Sequence, residues 1–141
     1  MISFHSGTQR LAVGSEKGIV IIYDLRTATR ASLIEQGSSV TAVSISKEGK
    51  LVATYSIKEN CVRIFEYNSG IMGALAGAFG QGKSGRLGEG GQMRLFREFK
   101  VGKEGVEATK EKVLECVGFE WVGERKVMVK GVDGLEFVFT V

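Results

Sequence analysis

The strongest constraint in this chain is a cycle of short strands and turns that runs twice in succession. Leu11-Ala-Val-Gly14 leads through Ser15-Glu-Lys-Gly18, a turn signal, into the β-branched run Ile19-Val-Ile-Ile-Tyr23. That run reads as a strand buried on both faces. Asp24-Leu-Arg-Thr27 turns again, and Ala31-Ser-Leu-Ile34 follows as a shorter strand. The pattern then restarts with the alternating Val40–Ser46, the turn Lys47–Lys50, the strand Leu51–Tyr55 and the strand Cys61–Tyr67. Aligning Leu11-Ala-Val-Gly-Ser with Val52-Ala-Thr-Tyr-Ser superposes Ile19-Val-Ile-Ile-Tyr-Asp on Val62-Arg-Ile-Phe-Glu, with a short insertion at Ile57–Asn60 and an offset of about 40 residues. No window of the first 70 residues carries a 3.6-residue apolar stripe, so helices are excluded there.

A third, incomplete cycle closes the chain: strands at Val113–Trp121 and Lys126–Lys130, a turn at Gly131–Gly134, and a last strand at Leu135–Val141. Phe119 and Trp121 alternate on one strand and should face the same core layer. The expected fold is all-β, with about eleven strands in antiparallel groups of four, four and three. The units run over residues 1–36, over 37–103 with a glycine-rich loop at 70–92, and over a partial unit at 113–141. At 141 residues the chain has the length of one domain, and its 43% hydrophobic and 25% charged residues suit a buried core.

Several functions are disfavoured by what the chain lacks. Its longest apolar runs fall far short of the ~20 residues a membrane helix needs. Met1-Ile-Ser-Phe-His5 does not read as a secretory leader, so a cytoplasmic protein is expected. One histidine, His5, and two distant cysteines, Cys61 and Cys116, cannot assemble a zinc site. Both cysteines lie beside valines and read as buried, reduced thiols. The net charge of +3 comes entirely from residues 81–112, where eight Lys/Arg interleave with five Glu. Mixed signs argue for a solvated loop and edge strand rather than for nucleic acid.

Four short strands in a period of about 40 residues are the signature of propeller blades. Residues 38–70 resemble a WD repeat: an alternating strand, a turn of the Ser-x-Asp-Gly-Lys kind, a small-residue strand, and a strand of the Val-Arg-x-Trp-Asp kind. Residues 10–28 are similar to the same unit, with Tyr23 and Asp24 where Trp-Asp usually lies. Phe65 and Glu66 stand there in the second unit, and Glu35-Gln36 stands where a Gly-His pair would. The hydrogen-bonded tetrad of such repeats is therefore expected to be absent or altered. A narrower resemblance, over residues 40–77 and 119–141, is to the C-terminal end of rabconnectin β-type WD-repeat proteins, and Asp133, Gly134, Phe139 and Val141 match that family's terminus.

These resemblances imply an open section of a propeller: two four-stranded blades and one three-stranded blade, lacking its outermost strand. A closed ring needs about 4–8 blades, so further blades, upstream or from another chain, are expected to complete it. Blade faces are expected to be apolar at both open ends, so that the chain alone would associate, aggregate or fold only in part. The function implied is a non-enzymatic protein–protein interaction scaffold without cofactors, tied by the narrower resemblance to vacuolar proton-pump assembly and vesicle acidification. Its partners would be proteins, including regulatory subunits of that pump, at the periphery of vesicle or vacuole membranes.

The competing reading is a nucleotide-binding protein. Gly77-Ala-Phe-Gly-Gln-Gly82-Lys83-Ser84 satisfies the phosphate-loop pattern G-x-x-x-x-G-K-[ST]. That chemistry needs a helix after the motif, whose N-terminus supplies part of the anion field. Gly85–Gly91 instead has four glycines in seven residues, each costing about 1 kcal/mol against helix. Nine of the chain's 20 glycines fall between Gly70 and Gly91, which reads as a mobile inter-strand loop. Lys83→Ala is accordingly expected to leave stability unchanged, and titration of labelled ATP with Mg²⁺ to show no binding by either form. Micromolar binding abolished by the substitution would contradict the scaffold reading.

Overall fold

The computed structural model describes residues 1–67, 93–101, 116–132 and 134–141. Its described residues form eleven strands in three antiparallel sheets. The first sheet holds β1 (Ile2–His5), β2 (Arg10–Gly14), β3 (Ile19–Asp24) and β4 (Thr29–Glu35) in chain order. The second holds β5 (Ala42–Ile45), β6 (Leu51–Ser56), β7 (Cys61–Tyr67) and β8 (Met93–Lys100), again in chain order. The third has β9 (Cys116–Trp121), β10 (Lys126–Gly131) and β11 (Glu136–Thr140), with β10 central. The four-four-three grouping read from the sequence is the one observed, and among the described residues the sheets do not close into a ring.

One turn design makes most of the hairpins. The amide of the turn's last residue donates to the carbonyl three residues back: Gly18 to Ser15 at 3.2 Å, Gly49 to Ser46 at 2.8 Å and Gly134 to Gly131 at 3.1 Å. That last residue has positive φ, as do Gln9 and Asn60 at the equivalent places, and it feeds the right-handed twist of the next strand. Gly18 admits no side chain for a second reason. A Cβ there would lie 2.7 Å from the Ser38 carbonyl oxygen.

The three sheets stack face on face. The face each turns toward the sheet before it in the chain is termed its back face, and the opposite one its front face. The front face of the first sheet (Ala12, Val20, Ile22, Ile34) packs on the back face of the second (Val43, Ile45, Val52, Phe65). The front face of the second (Ala42, Ala53, Tyr55, Val62, Ile64) packs on the third, through Phe119, Trp121, Val127, Val129, Phe137 and Phe139. Phe119 and Trp121 thus share one layer, as their spacing predicts. The second sheet is covered on both sides, so Val52 through Ser56 are all buried and the two-residue alternation disappears from β6.

Two sequence expectations change. β3 is buried on one face only: Val20 and Ile22 are fully buried, whereas Tyr23 is 36% exposed on the back face. The open ends of the stack also differ. The back face of the first sheet is apolar, but the front face of the third carries Glu120, Lys126, Lys130, Glu136 and Thr140 beside Met128 and Val138. Alternation in Lys126–Gly131 reports one apolar face and leaves the other free to be charged, and only an in-register comparison with the second unit separates the two.

Candidate interaction faces

The strand registers make the back faces directly comparable. Val52 pairs with Ile45 and Phe65 in the second sheet, Val127 with Trp121 and Phe139 in the third, and Leu11 with Phe4 and Tyr23 in the first. Each back face therefore has the same apolar quartet: Ile2, Phe4, Leu11, Tyr23; then Val43, Ile45, Val52, Phe65; then Phe119, Trp121, Val127, Phe139. A neighbouring sheet covers the second and third quartets. In the first quartet, Ile2 and Phe4 are 68% and 54% exposed. Complete burial of such a side chain contributes about 1.5–3 kcal/mol. Cover for this face is thus worth several kcal/mol, a large share of a domain's ~5–15 kcal/mol stability.

Polar contacts fix how the sheets meet. The Thr8 amide donates to His5 Nδ1 at 3.1 Å, so the ring's proton sits on Nε2, which donates to the Lys47 carbonyl at 2.6 Å. Arg10 donates to the Gly49 carbonyl at 3.2 Å and lies over the Tyr67 ring. Trp121 Nε1 donates to the Ser44 carbonyl at 3.2 Å, tying the third sheet to the second. His5, which offered no partner in the sequence, is a pin between the first two sheets. Its partner across the gap, the Lys47 carbonyl, lies 42 residues away, and no local pattern points to it.

A polar network joins the segment before β5 to β6 and β7. Gln36 stands where a histidine was expected, and the buried Thr54 hydroxyl donates to its Oε1 at 2.6 Å. Gln36 Nε2 donates in turn to the Ser38 carbonyl at 3.0 Å. Arg63, opposite Thr54 on β7, donates to Ser38 Oγ at 2.9 Å and to Glu98 at 2.8 Å, and it pairs with Glu59. The Ser38 hydroxyl donates to Glu59 at 2.9 Å. Hydrogen bonds from Arg63 and then Ser38 hold the Glu59 carboxyl below its usual range. Burial pushes the thiol of Cys61 up, consistent with an inert core position.

The remaining residues singled out in the sequence have local roles or lie elsewhere. Asp24 ends β3 and accepts from the Arg26 amide at 2.9 Å; the Arg26 guanidinium, bonded to the same carboxyl, keeps it below the usual carboxylate range. Tyr23 and Phe65 occupy one repeat position, uncovered in the first case and 5% exposed in the second. Glu66 forms a cross-strand ion pair with Arg94 at 3.0 Å. Gly134 turns the β10–β11 hairpin at φ +81°. Asp133, and the motif residues Gly77, Gly82, Lys83 and Ser84, lie outside the described residues, as do the loop at 70–92 and the start of the strand read at 113. Among the described residues no helix is long and apolar enough to cross a membrane.

The Gln36–Thr54 bond gives a double test. Gln36→Leu leaves the Thr54 hydroxyl buried without a partner and should cost about 1–3 kcal/mol in urea unfolding. Adding Thr54→Val should recover most of that loss. Two additive losses would contradict the bond's role.

No family model matches the chain. Among solved structures, BamB from Moraxella catarrhalis is similar to it at 15% identity and a TM-score of 0.62, over 99% of this chain and 33% of that one. The β-propeller domain of Cps50 (Swd1) from Myceliophteria thermophila matches at 13% identity and a TM-score of 0.61, over 99% and 38%. The C-terminal WD40 domain of Sif2 matches at 13% identity and a TM-score of 0.61, over 100% and 33%. The chain spans about a third of the length of those it matches. Among the described residues, its three stacked, unclosed sheets have the fold of an open section of a β-propeller.

Proposed function

We propose that this chain is a non-enzymatic protein–protein interaction scaffold, one section of a WD-repeat propeller that takes its remaining blades from further repeats or from another chain. The observation that carries the reading is the apolar back face of the first sheet, left open with Ile2, Phe4 and Tyr23 exposed in an unclosed stack. Contiguous apolar surface of this kind marks a site of association. Its finer setting, regulation of vacuolar proton-pump assembly from the cytoplasmic side of vesicle or vacuole membranes, rests on the rabconnectin-type resemblance of residues 40–77 and 119–141.

The purified chain, mixed with the peripheral subunits and assembly factors of that pump, is expected to form a complex of micromolar or tighter affinity by sedimentation velocity. A folded chain that binds none of these components would contradict the proton-pump setting.

A further inference from the structure

The two gaps between the sheets bury different things. Among the described residues, four side-chain polar atoms are buried without a hydrogen-bond partner: Arg10 Nε, Ser32 Oγ, Ser56 Oγ and the Tyr67 hydroxyl. All four belong to the first gap, between the first and second sheets. Ser32 stands opposite Ile22, and Ser56 and Tyr67 continue the faces of Val52 and Phe65 along β6 and β7. Arg10 lies over the Tyr67 ring, 4.4 Å from its centre. In the second gap, between the second and third sheets, Trp121 Nε1 has the Ser44 carbonyl as its acceptor. Aromatic rings fill much of the rest: Phe99 stacks on Phe139 at 5.1 Å, and Tyr55 meets Phe119 at 6.3 Å.

The bonds that cross the first gap are gathered on one side of it. His5 donates to the Lys47 carbonyl, Arg10 to the Gly49 carbonyl, and the Ile45 amide to Ser3 Oγ at 3.1 Å. All three join β1 and β2 to β5 and the turn that follows it. β1 and β5 are corresponding edges of their sheets, and β4 and β8 are the opposite edges. Ser32 on β4, and Tyr67 on β7 next to β8, lie toward that opposite side, where Leu95 of β8 is 52% exposed.

We propose that the first gap is a hinged seam. The first sheet swings away from the second about the β1–β5 side and opens at the β4–β8 side, while the second and third sheets move as one body. When the gap is closed, four polar atoms are kept from water unpaired, and leaving such an atom unmet costs more than one made bond returns. When it opens, water reaches them. The second gap has no such term, and its aromatic contacts are lost on opening. The seam lies between two four-stranded sheets, so it depends on neither end of the stack and on no particular partner.

A background of Cys61→Ala with Cys116→Ala takes one reporter at a time on the second sheet. Val52→Cys faces the first gap and Val62→Cys the second; both valines are fully buried. Because they share a sheet, unfolding of that sheet labels both alike. Alkylation is read by mass spectrometry, each rate divided by that of the same variant unfolded in urea. Val52→Cys should react about tenfold or more faster than Val62→Cys. Ser32→Ala, Ser56→Ala and Tyr67→Phe together should slow Val52→Cys about tenfold and leave Val62→Cys unchanged. Low urea should barely alter the Val52→Cys rate, because swinging exposes far less surface than unfolding.

Equal rates at the two reporters would overturn the proposal, as would a Val52→Cys rate that the three substitutions leave unchanged. A steep rise with urea would mean that the first sheet unfolds rather than swings, and would also overturn it. If circular dichroism shows either reporter unfolded, Val20→Cys on the first sheet and Val127→Cys on the third, both fully buried valines, repeat the comparison across the same two gaps. The third sheet has one strand fewer, so faster labelling of Val20→Cys is the reverse of what sheet size alone would give.

Discussion

A β-sheet with apolar residues on both faces needs cover on both, and the rest of this structure depends on that requirement. The second sheet meets it completely. Val52 and Phe65 press on the first sheet while Tyr55, Val62 and Ile64 press on the third, and all five are buried. No sheet of three or four short strands has a core of its own; each core lies between two sheets. Stability is therefore shared between neighbours, and an end sheet holds half of the contacts a middle one does.

Apolar faces alone would let the sheets slide, since hydrophobic contact is not directional. Direction comes from a few polar pins that span the gaps: His5 to the Lys47 carbonyl, Arg10 to the Gly49 carbonyl, and Trp121 to the Ser44 carbonyl. Each reaches a backbone carbonyl on the adjacent sheet, so the angle is set against main chain rather than against a mobile side chain. The Gln36–Thr54 bond and the Arg63–Glu59–Ser38 group do the same work around the second sheet, where they hold the segment entering β5 onto β6 and β7.

Much of this was legible in the chain. Turn signals at Ser15–Gly18 and Lys47–Lys50 marked the hairpins because a positive-φ residue must end each turn. The repeat at about 40 residues carried the grouping into four, four and three strands. Two features were not legible, for separable reasons, and a third shows only when the cycles are laid in register. The polar pins join residues such as His5 and Lys47 that are close only after the sheets stack. The one-sided burial of Ile19–Tyr23 is hidden because an uncovered apolar face and a covered one have the same letters. The charged pair Lys130–Glu136 emerges only when the third cycle is laid on the second in register, where a lysine and a glutamate fall on Tyr55 and Val62.

The central claim is that each sheet is held by its neighbours and that the first lacks one of them. Amide hydrogen exchange on the native chain tests it most directly, because protection reports the free energy of local opening strand by strand. The account predicts the slowest exchange in β6 and β7, covered on both faces, and markedly faster exchange in β2 and β3, whose ladders are equally complete but whose back face is open. Equal protection of β2, β3, β6 and β7 would mean that the first sheet is stable without a cover, and would contradict the account.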